Sequence, residues 1–142
     1  MDIIYTTSNQ IAANVIKLFT GCKWHHCGVI VDDYVIEARM FGGVIHTPIK
    51  AFKSRGEWAI ESVKIADEEK SKDFLFNQIG KGYDISGAIS LPFRRDWQDK
   101  NKWYCSELVA AAFAAGGSPL VKNNLISVSP RDLWVQDKTR FN

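Results

Sequence analysis

The stretch Cys27-Gly28-Val29-Ile30-Val31-Asp32-Asp33-Tyr34-Val35-Ile36-Glu37-Ala38 constrains this chain more than any other. Two runs rich in β-branched residues flank a short acidic turn, and such runs pair as a β-hairpin. With Asp32-Asp33 as a two-residue turn, Val31 lies opposite Tyr34 and Gly28 opposite Glu37. Directly paired side chains share a face. His26, two positions from Gly28, then becomes the diagonal neighbour of Glu37, roughly 7–8 Å away at the backbone and within reach of a long side chain. The adjacent His25 points to the other face. A turn of odd length would reverse the choice between the two histidines.

The rest of the chain builds around this hairpin. Thr7 or Ser8 can cap a first helix carrying Ile11, Ala12, Val15, Ile16, Leu18 and Phe19, with Gly21 at its end. A further strand pair is expected at Gly43–Pro48 and Trp58–Ile65. Asp67 caps a helix opened by Glu68 and Glu69 and closed at Gly80, acids first as the macrodipole prefers. Residues 80–102 read as mostly irregular, punctuated by Gly80, Gly82, Gly87 and Pro92. The apolar run Cys105–Ala115 forms a strong helix ended by Gly116-Gly117, and Ser129-Pro130-Arg131-Asp132 begins a last short one. The order is helix, strands, helix, loop, helix, which gives an α+β fold. Its 142 residues fit one domain spanning 1–142.

Composition excludes several function classes. A net charge of +2 is too mild for a nucleic-acid partner, and the densest charge cluster, Arg94, Arg95, Asp96, Asp99, Lys100 and Lys102, mixes both signs. No apolar run approaches the ~20 residues that span a bilayer. The start, Met1-Asp2-Ile3-Ile4-Tyr5, lacks the basic and long apolar regions of a secretory signal, so the expected location is cytoplasmic, or outside by a route that uses no signal peptide. Cys22, Cys27 and Cys105 are an odd number in such a chain. A disulfide framework is not expected, and each thiol is judged on its own.

Cys105 stands where a loop turns into a helix. Unpaired backbone N–H groups and the positive end of the helix dipole there favour a thiolate and can hold an oxyanion. A small buried cysteine packed as a hydrophobe fits the same position, and position alone leaves both readings open. A nucleophilic thiolate needs a base, which His26 supplies, and a carboxylate to fix the imidazole tautomer, which Glu37 supplies. Glu37 sits in the otherwise apolar run Val35-Ile36-Glu37-Ala38, where an acid calls for a partner. A competing set is Cys22, His25, His26 and Cys27 with His46 downstream, all zinc-ligand types. The usual second ligand pair is missing, however, and strand alternation scatters the adjacent ligands over two faces. Cys22 and Cys27 then read as packing residues.

These pieces together resemble a known family. Trp24-His25-His26-Cys27-Gly28-Val29-Ile30-Val31 is similar to the "W-S-H-x-G-I-V" strand of the permuted papain-like cysteine peptidases, the YiiX-like branch of the NlpC-type superfamily. Val35-Ile36-Glu37-Ala38 resembles its "V-I-E-A" strand and Gly80-Lys81-Gly82-Tyr83-Asp84 its "G-K-x-Y-D" segment. Trp103-Tyr104-Cys105-Ser106-Glu107-Leu108-Val109 resembles its "Y-C-S-E-L-V" nucleophile helix, and Ser129-Pro130-Arg131-Asp132-Leu133 its "T-P-x-D-L". The motifs run in the family's order from about Trp24 to Leu133, with the histidine and acid ahead of the cysteine as the permuted branch requires.

The resemblance implies a circularly permuted papain-like core, an antiparallel sheet packed against the nucleophile helix. It implies Cys105 as nucleophile, His26 as general base, Glu37 as the orienting residue and Tyr83 as a residue shaping the oxyanion site. The implied activity is hydrolysis of a peptide or isopeptide bond, often in cell-wall peptides, through a thioester and without metal or organic cofactor. Other branches act on acyl lipids or transfer acyl groups, a degenerate member would be a binding module, and several members are encoded by phages. The substrate partner is thus a peptide or acyl compound, with Leu91–Asn101, carrying Phe93, Arg94, Arg95 and Trp97, as a candidate cleft loop. Two positions depart from the pattern: His25 replaces the usual serine, and Cys27 replaces a common aliphatic residue, which reads as a core swap.

Overall fold

The hairpin forms with the register of a two-residue turn. Strands β2 (His26–Val31) and β3 (Tyr34–Arg39) pair antiparallel with Val31 opposite Tyr34, Ile30 opposite Val35 and Val29 opposite Ile36. Asp32, first of the two turn residues, takes φ 52°, a left-handed conformation that aspartate tolerates better than most side chains. The structure is a computed structural model, and it describes residues 1–7, 22–84, 101–121 and 128–138.

Around the hairpin lies a five-stranded antiparallel sheet of order β4-β3-β2-β1-β5. It is completed by β1 (Asp2–Thr7), β4 (Gly43–Pro48) and β5 (Glu57–Ser62). Two expectations are corrected here. The chain begins with a strand that the expected order lacks, and this β1 lies between β2 and β5. Strands β4 and β5 occur close to where they were expected but do not pair with each other; β4 joins β3 at one edge and β5 joins β1 at the other. Between them runs a helical turn, α1 (Ile49–Lys53), whose Phe52 is buried. The helix expected over Ile11–Phe19 and the charged segment 91–100 lie outside the described residues.

Both faces of the sheet are covered. Ile3 and Tyr5 of β1, Cys27, Val29 and Val31 of β2, and Ile36 and Ala38 of β3 line the main core. Ile4, Val35 and Phe52 form a smaller cluster of their own, with Ile30 packed on it. A strand buried on both faces shows a continuous apolar run instead of alternation, which is why β1 gives no period-2 signal. The main core is filled by α3 (Cys105–Ala115), buried from Cys105 through Phe113. Its alanines at 110–112 let the helix approach the sheet closely.

The helix ends obey their local chemistry. In α2 (Glu68–Gln78) the Asp67 carboxylate accepts from the Lys70 backbone N–H at 3.0 Å. Asp132, in the first turn of α4 (Pro130–Lys138), accepts from the N–H and hydroxyl of Ser129 at 2.8 and 2.6 Å. Residues 80–102 are not wholly irregular: β6 (Gly82–Tyr83) and β7 (Lys102–Trp103) make a short parallel pair that delivers the chain to α3. Among the described residues no helix is long and apolar enough to cross a membrane.

Gly116, just after α3, ties that helix to the start of α2. Its carbonyl accepts from Asp67 N–H at 3.0 Å, and a Cβ there would lie 2.5 Å from Ile65 Cδ1 and 2.7 Å from the Asp67 carbonyl oxygen. Backbone cannot yield as a flexible side chain can. Gly116→Ala is therefore expected to cost about 1–3 kcal/mol. It should lower the melting temperature by several degrees, at roughly 2–4 °C per kcal/mol for a domain of about this size. Turnover per folded molecule should hold, because Cys105 is about 16 Å away along the helix at ~1.5 Å per residue. A melting curve superimposable on the parent's would refute this reading of the contact.

Candidate active site

Cys105 is the first residue of α3, preceded by Tyr104 in extended conformation (φ −85°, ψ 152°). The first N–H groups of an α-helix have no intrahelical acceptor, so the sulfur sits in a positive environment. It is buried, with 1% of its surface exposed. Burial alone would push the thiol up. Hydrogen bonds from the Cys27 thiol and the His26 ring, the His26 charge and the Cys27 backbone N–H outweigh it and hold Cys105 well below the usual thiol range.

His26 opens β2. Its Nε2 lies 2.6 Å from Glu37 Oε2, and its ring stacks on Phe52 with centroids 5.8 Å apart. With Nε2 given to Glu37, Nδ1 is the nitrogen left for Cys105. Burial would lower the imidazole, but the hydrogen bonds and opposite charges of Cys105 and Glu37 raise it to about 9. The pair therefore favours imidazolium and thiolate over neutral imidazole and thiol.

Glu37 is fully buried on β3 and its carboxylate is saturated with donors. Thr47 Oγ1 donates to Oε1 at 2.5 Å, while Arg55 grips both oxygens, Nη1 to Oε2 at 2.7 Å and Nη2 to Oε1 at 2.8 Å. Burial pushes the carboxyl up, yet the His26, Arg55 and Thr47 bonds hold it down to about 2. Gly28 makes room for this packing. A Cβ there would lie 2.6 Å from Val35 Cγ1, 2.9 Å from the Ile36 carbonyl oxygen and 3.2 Å from Glu37 Cβ.

Sequence reasoning missed Arg55 and Thr47. Thr47 had a readable signal: β4 sets Ile45 opposite Glu37, so Thr47 is a diagonal neighbour on the same face, as His26 is from the other side. Arg55 had none, because it returns to Glu37 only after the unforeseen turn α1, with its guanidinium carbon 5.1 Å from the Phe52 ring centre.

The structure thus brings His26, Glu37 and Cys105 together. Tyr83, on β6, is half-buried with its ring 6.0 Å from that of Tyr104, and burial and the charge of Cys105 both push its hydroxyl up, so it stays a donor. His25 precedes β2 and donates its backbone N–H to Thr6 at 3.3 Å. His46 is exposed on edge strand β4, its ring packed edge-on to Tyr34. Among the described residues no three His, Cys, Asp or Glu side chains converge as metal ligands. Cys27 is a core residue as expected, but its thiol also interacts with that of Cys105 in the same core cluster.

Comparison with known proteins agrees with this architecture. A family model described as permuted papain-like amidase enzymes, the YaeF/YiiX or C92 family, matches residues 2–129. The crystal structure of the metalloprotein YiiX from Escherichia coli O157:H7 is similar at a TM-score of 0.71 and 22% sequence identity, covering 94% of this chain and 89% of that one. At that identity the likeness speaks for the fold. Among curated proteins no sequence matches the chain.

Proposed function

The chain belongs to the permuted papain-like amidase family, cysteine hydrolases of amide bonds, and from this premise we propose that it cleaves a peptide or isopeptide bond with Cys105 as nucleophile. His26 is the general base and acid, and Glu37 orients its ring. The observation that carries the reading is the continuous chain of contacts from Cys105 through His26 to Glu37, with His26 Nε2 2.6 Å from Glu37 Oε2.

In this reading the Cys105 thiolate attacks the carbonyl carbon, and the oxyanion is held by backbone N–H groups at the start of α3 with Tyr83 beside them. His26 gives its proton to the departing amine, leaving a thioester on Cys105. Neutral His26 then takes a proton from water, the hydroxide attacks the thioester, and the proton returns to the sulfur–imidazole pair as the carboxylic acid leaves. Cell-wall peptides are the first substrates to try. A panel of muropeptides, isopeptide-linked peptides and lipid esters, each run against Cys105→Ala, tests the reading. Cleavage of an amide that Cys105→Ala cannot perform supports it, and cleavage of lipid esters alone would replace it with an acyl-lipid hydrolase.

Arg55 is a positioning residue in this scheme. Its bidentate grip keeps Glu37 ionised and fixed. Arg55→Met leaves Glu37 with His26 and Thr47, so its carboxyl rises from about 2 toward the ordinary range. We expect kcat to fall on the order of tenfold or more, as for one lost charge-assisted hydrogen bond. KM should change little, and the acid limb of the pH profile should move to higher pH. Arg55→Lys restores the charge without the fork and should recover only part. A lower melting temperature with an unmoved pH profile would reduce Arg55 to a structural role.

A further inference from the structure

The proposed mechanism uses one sulfur, yet two meet at the site. Cys27 follows His26 on β2, so alternation turns it to the opposite face, toward α3. It is fully buried in the same core cluster as Cys105. Its backbone N–H and its thiol both hydrogen-bond the Cys105 sulfur. An aliphatic side chain would fill this core position equally well, so packing alone does not explain a thiol aimed at another thiol.

We propose that Cys27 is a resolving cysteine: a hydroperoxide oxidises Cys105, and Cys27 captures the product as a Cys27–Cys105 disulfide that reversibly shuts the site. The proposal rests on Cys105 being the reactive thiolate. In the first step the thiolate attacks the peroxide oxygen, the O–O bond breaks, and the alkoxide leaves with a proton as alcohol, or as water from hydrogen peroxide. Cys105 becomes a sulfenic acid. The Cys27 sulfur then attacks that sulfur, the S–O bond breaks, and hydroxide leaves with the Cys27 proton as water. The two thiols together lose two electrons and the peroxide gains them. A dithiol reductant reverses the change by exchange.

The two cysteines differ in the way such a division of labour needs. Cys105 is held as thiolate, the form peroxide attacks, whereas burial and the neighbouring Cys105 push the Cys27 thiol up, so it stays protonated until the sulfenic acid appears. The two cysteines are neighbours in one buried core, one on β2 and the other at the start of α3, the proximity that the ~2.05 Å bond of a disulfide requires. Capture in place competes with further oxidation of Cys105 to sulfinic and sulfonic acids, which thiols do not reverse.

The test is peroxide treatment of the full chain, read by intact mass and by non-reducing peptide mapping. The parent protein should lose two hydrogens and yield a peptide joining Cys27 to Cys105, and dithiothreitol should restore both thiols. Cys22→Ser should behave the same way. Cys27→Val should yield no cross-link; its Cys105 should gain two or three oxygens, and activity, measured against its own untreated sample, should not return with dithiothreitol. A parent protein that over-oxidises Cys105 while Cys27 stays free would overturn the proposal, as would recovery of Cys27→Val to the parent's extent. The mass readout is independent of turnover. A cross-link in a protein whose Cys105→Ala form still hydrolyses substrate would refute the nucleophile assignment instead.

Discussion

Cys105→Ala is expected to abolish amide hydrolysis while leaving the melting temperature close to that of the parent chain. The substitution removes a single sulfur from a side chain that is already buried at the start of α3. Lost packing of that size is worth about 1 kcal/mol, and it is offset by no longer holding a buried negative charge. Chemically the loss is complete, because no thioester can form. In the proposed mechanism the helix N–H groups and Tyr83 would still hold the substrate carbonyl, but without a covalent route the rate should fall at least about 10³-fold. Iodoacetamide labelling gives a check that needs no substrate. In the parent chain one thiol should react well below the ordinary value of about 8.5, and that fast phase should vanish in Cys105→Ala. Unchanged turnover in Cys105→Ala would remove it from the chemistry. A slow, ordinary thiol at Cys105 together with no turnover on any amide would make the chain a binding module that keeps the fold.

Much of this site is legible in the sequence, for a definable reason. A two-residue turn couples register to side-chain face with no slack, so Asp32-Asp33 by itself made His26 and Glu37 neighbours. Caps are equally local, and Asp67, Ser129 and Gly116-Gly117 marked their helices because each acts within four residues. What escaped is non-local. Strands β4 and β5 carry pairing potential but no address, so nothing nearby says that one joins β3 and the other β1. β1 hides because burial on both faces erases alternation. The same blindness hid Arg55, whose partner lies 18 residues back across an unforeseen turn, and the contact of Cys27 with a cysteine on another element. A buried carboxylate announces that it needs donors; which cation supplies them depends on where the chain returns.

His26→Ala should be far more damaging than His25→Ala. The first removes the nitrogen that lies 2.6 Å from Glu37 and the hydrogen bond that helps hold Cys105 as thiolate. General-base loss alone is worth about 10²–10⁴ in rate, and reversion of Cys105 toward an ordinary thiol adds to it, shifting the iodoacetamide profile upward. His25→Ala should stay within a few-fold, since His25 is tied to β1 through its backbone N–H. The fold should survive in His26→Ala because Glu37 keeps Arg55 and Thr47. Two pH signatures make the assignment sharper. In the parent, activity should fall as pH rises through about 9 and His26 loses its proton, and it should fall in acid as the Cys105 sulfur gains one. His26 is raised from 6.5 to about 9 on folding, so its contribution to stability is fully present below 6.5 and disappears as pH rises through 9. Glu37, lowered from 4.5 to about 2, contributes above 4.5 and loses its contribution as pH falls toward 2. His26→Ala should therefore erase the alkaline loss of stability while keeping the acid one, a split that general loosening of the site would not produce. If His25→Ala proves the dead variant instead, the base is His25, and the face of β2 that carries the chemistry is the one turned away from Glu37.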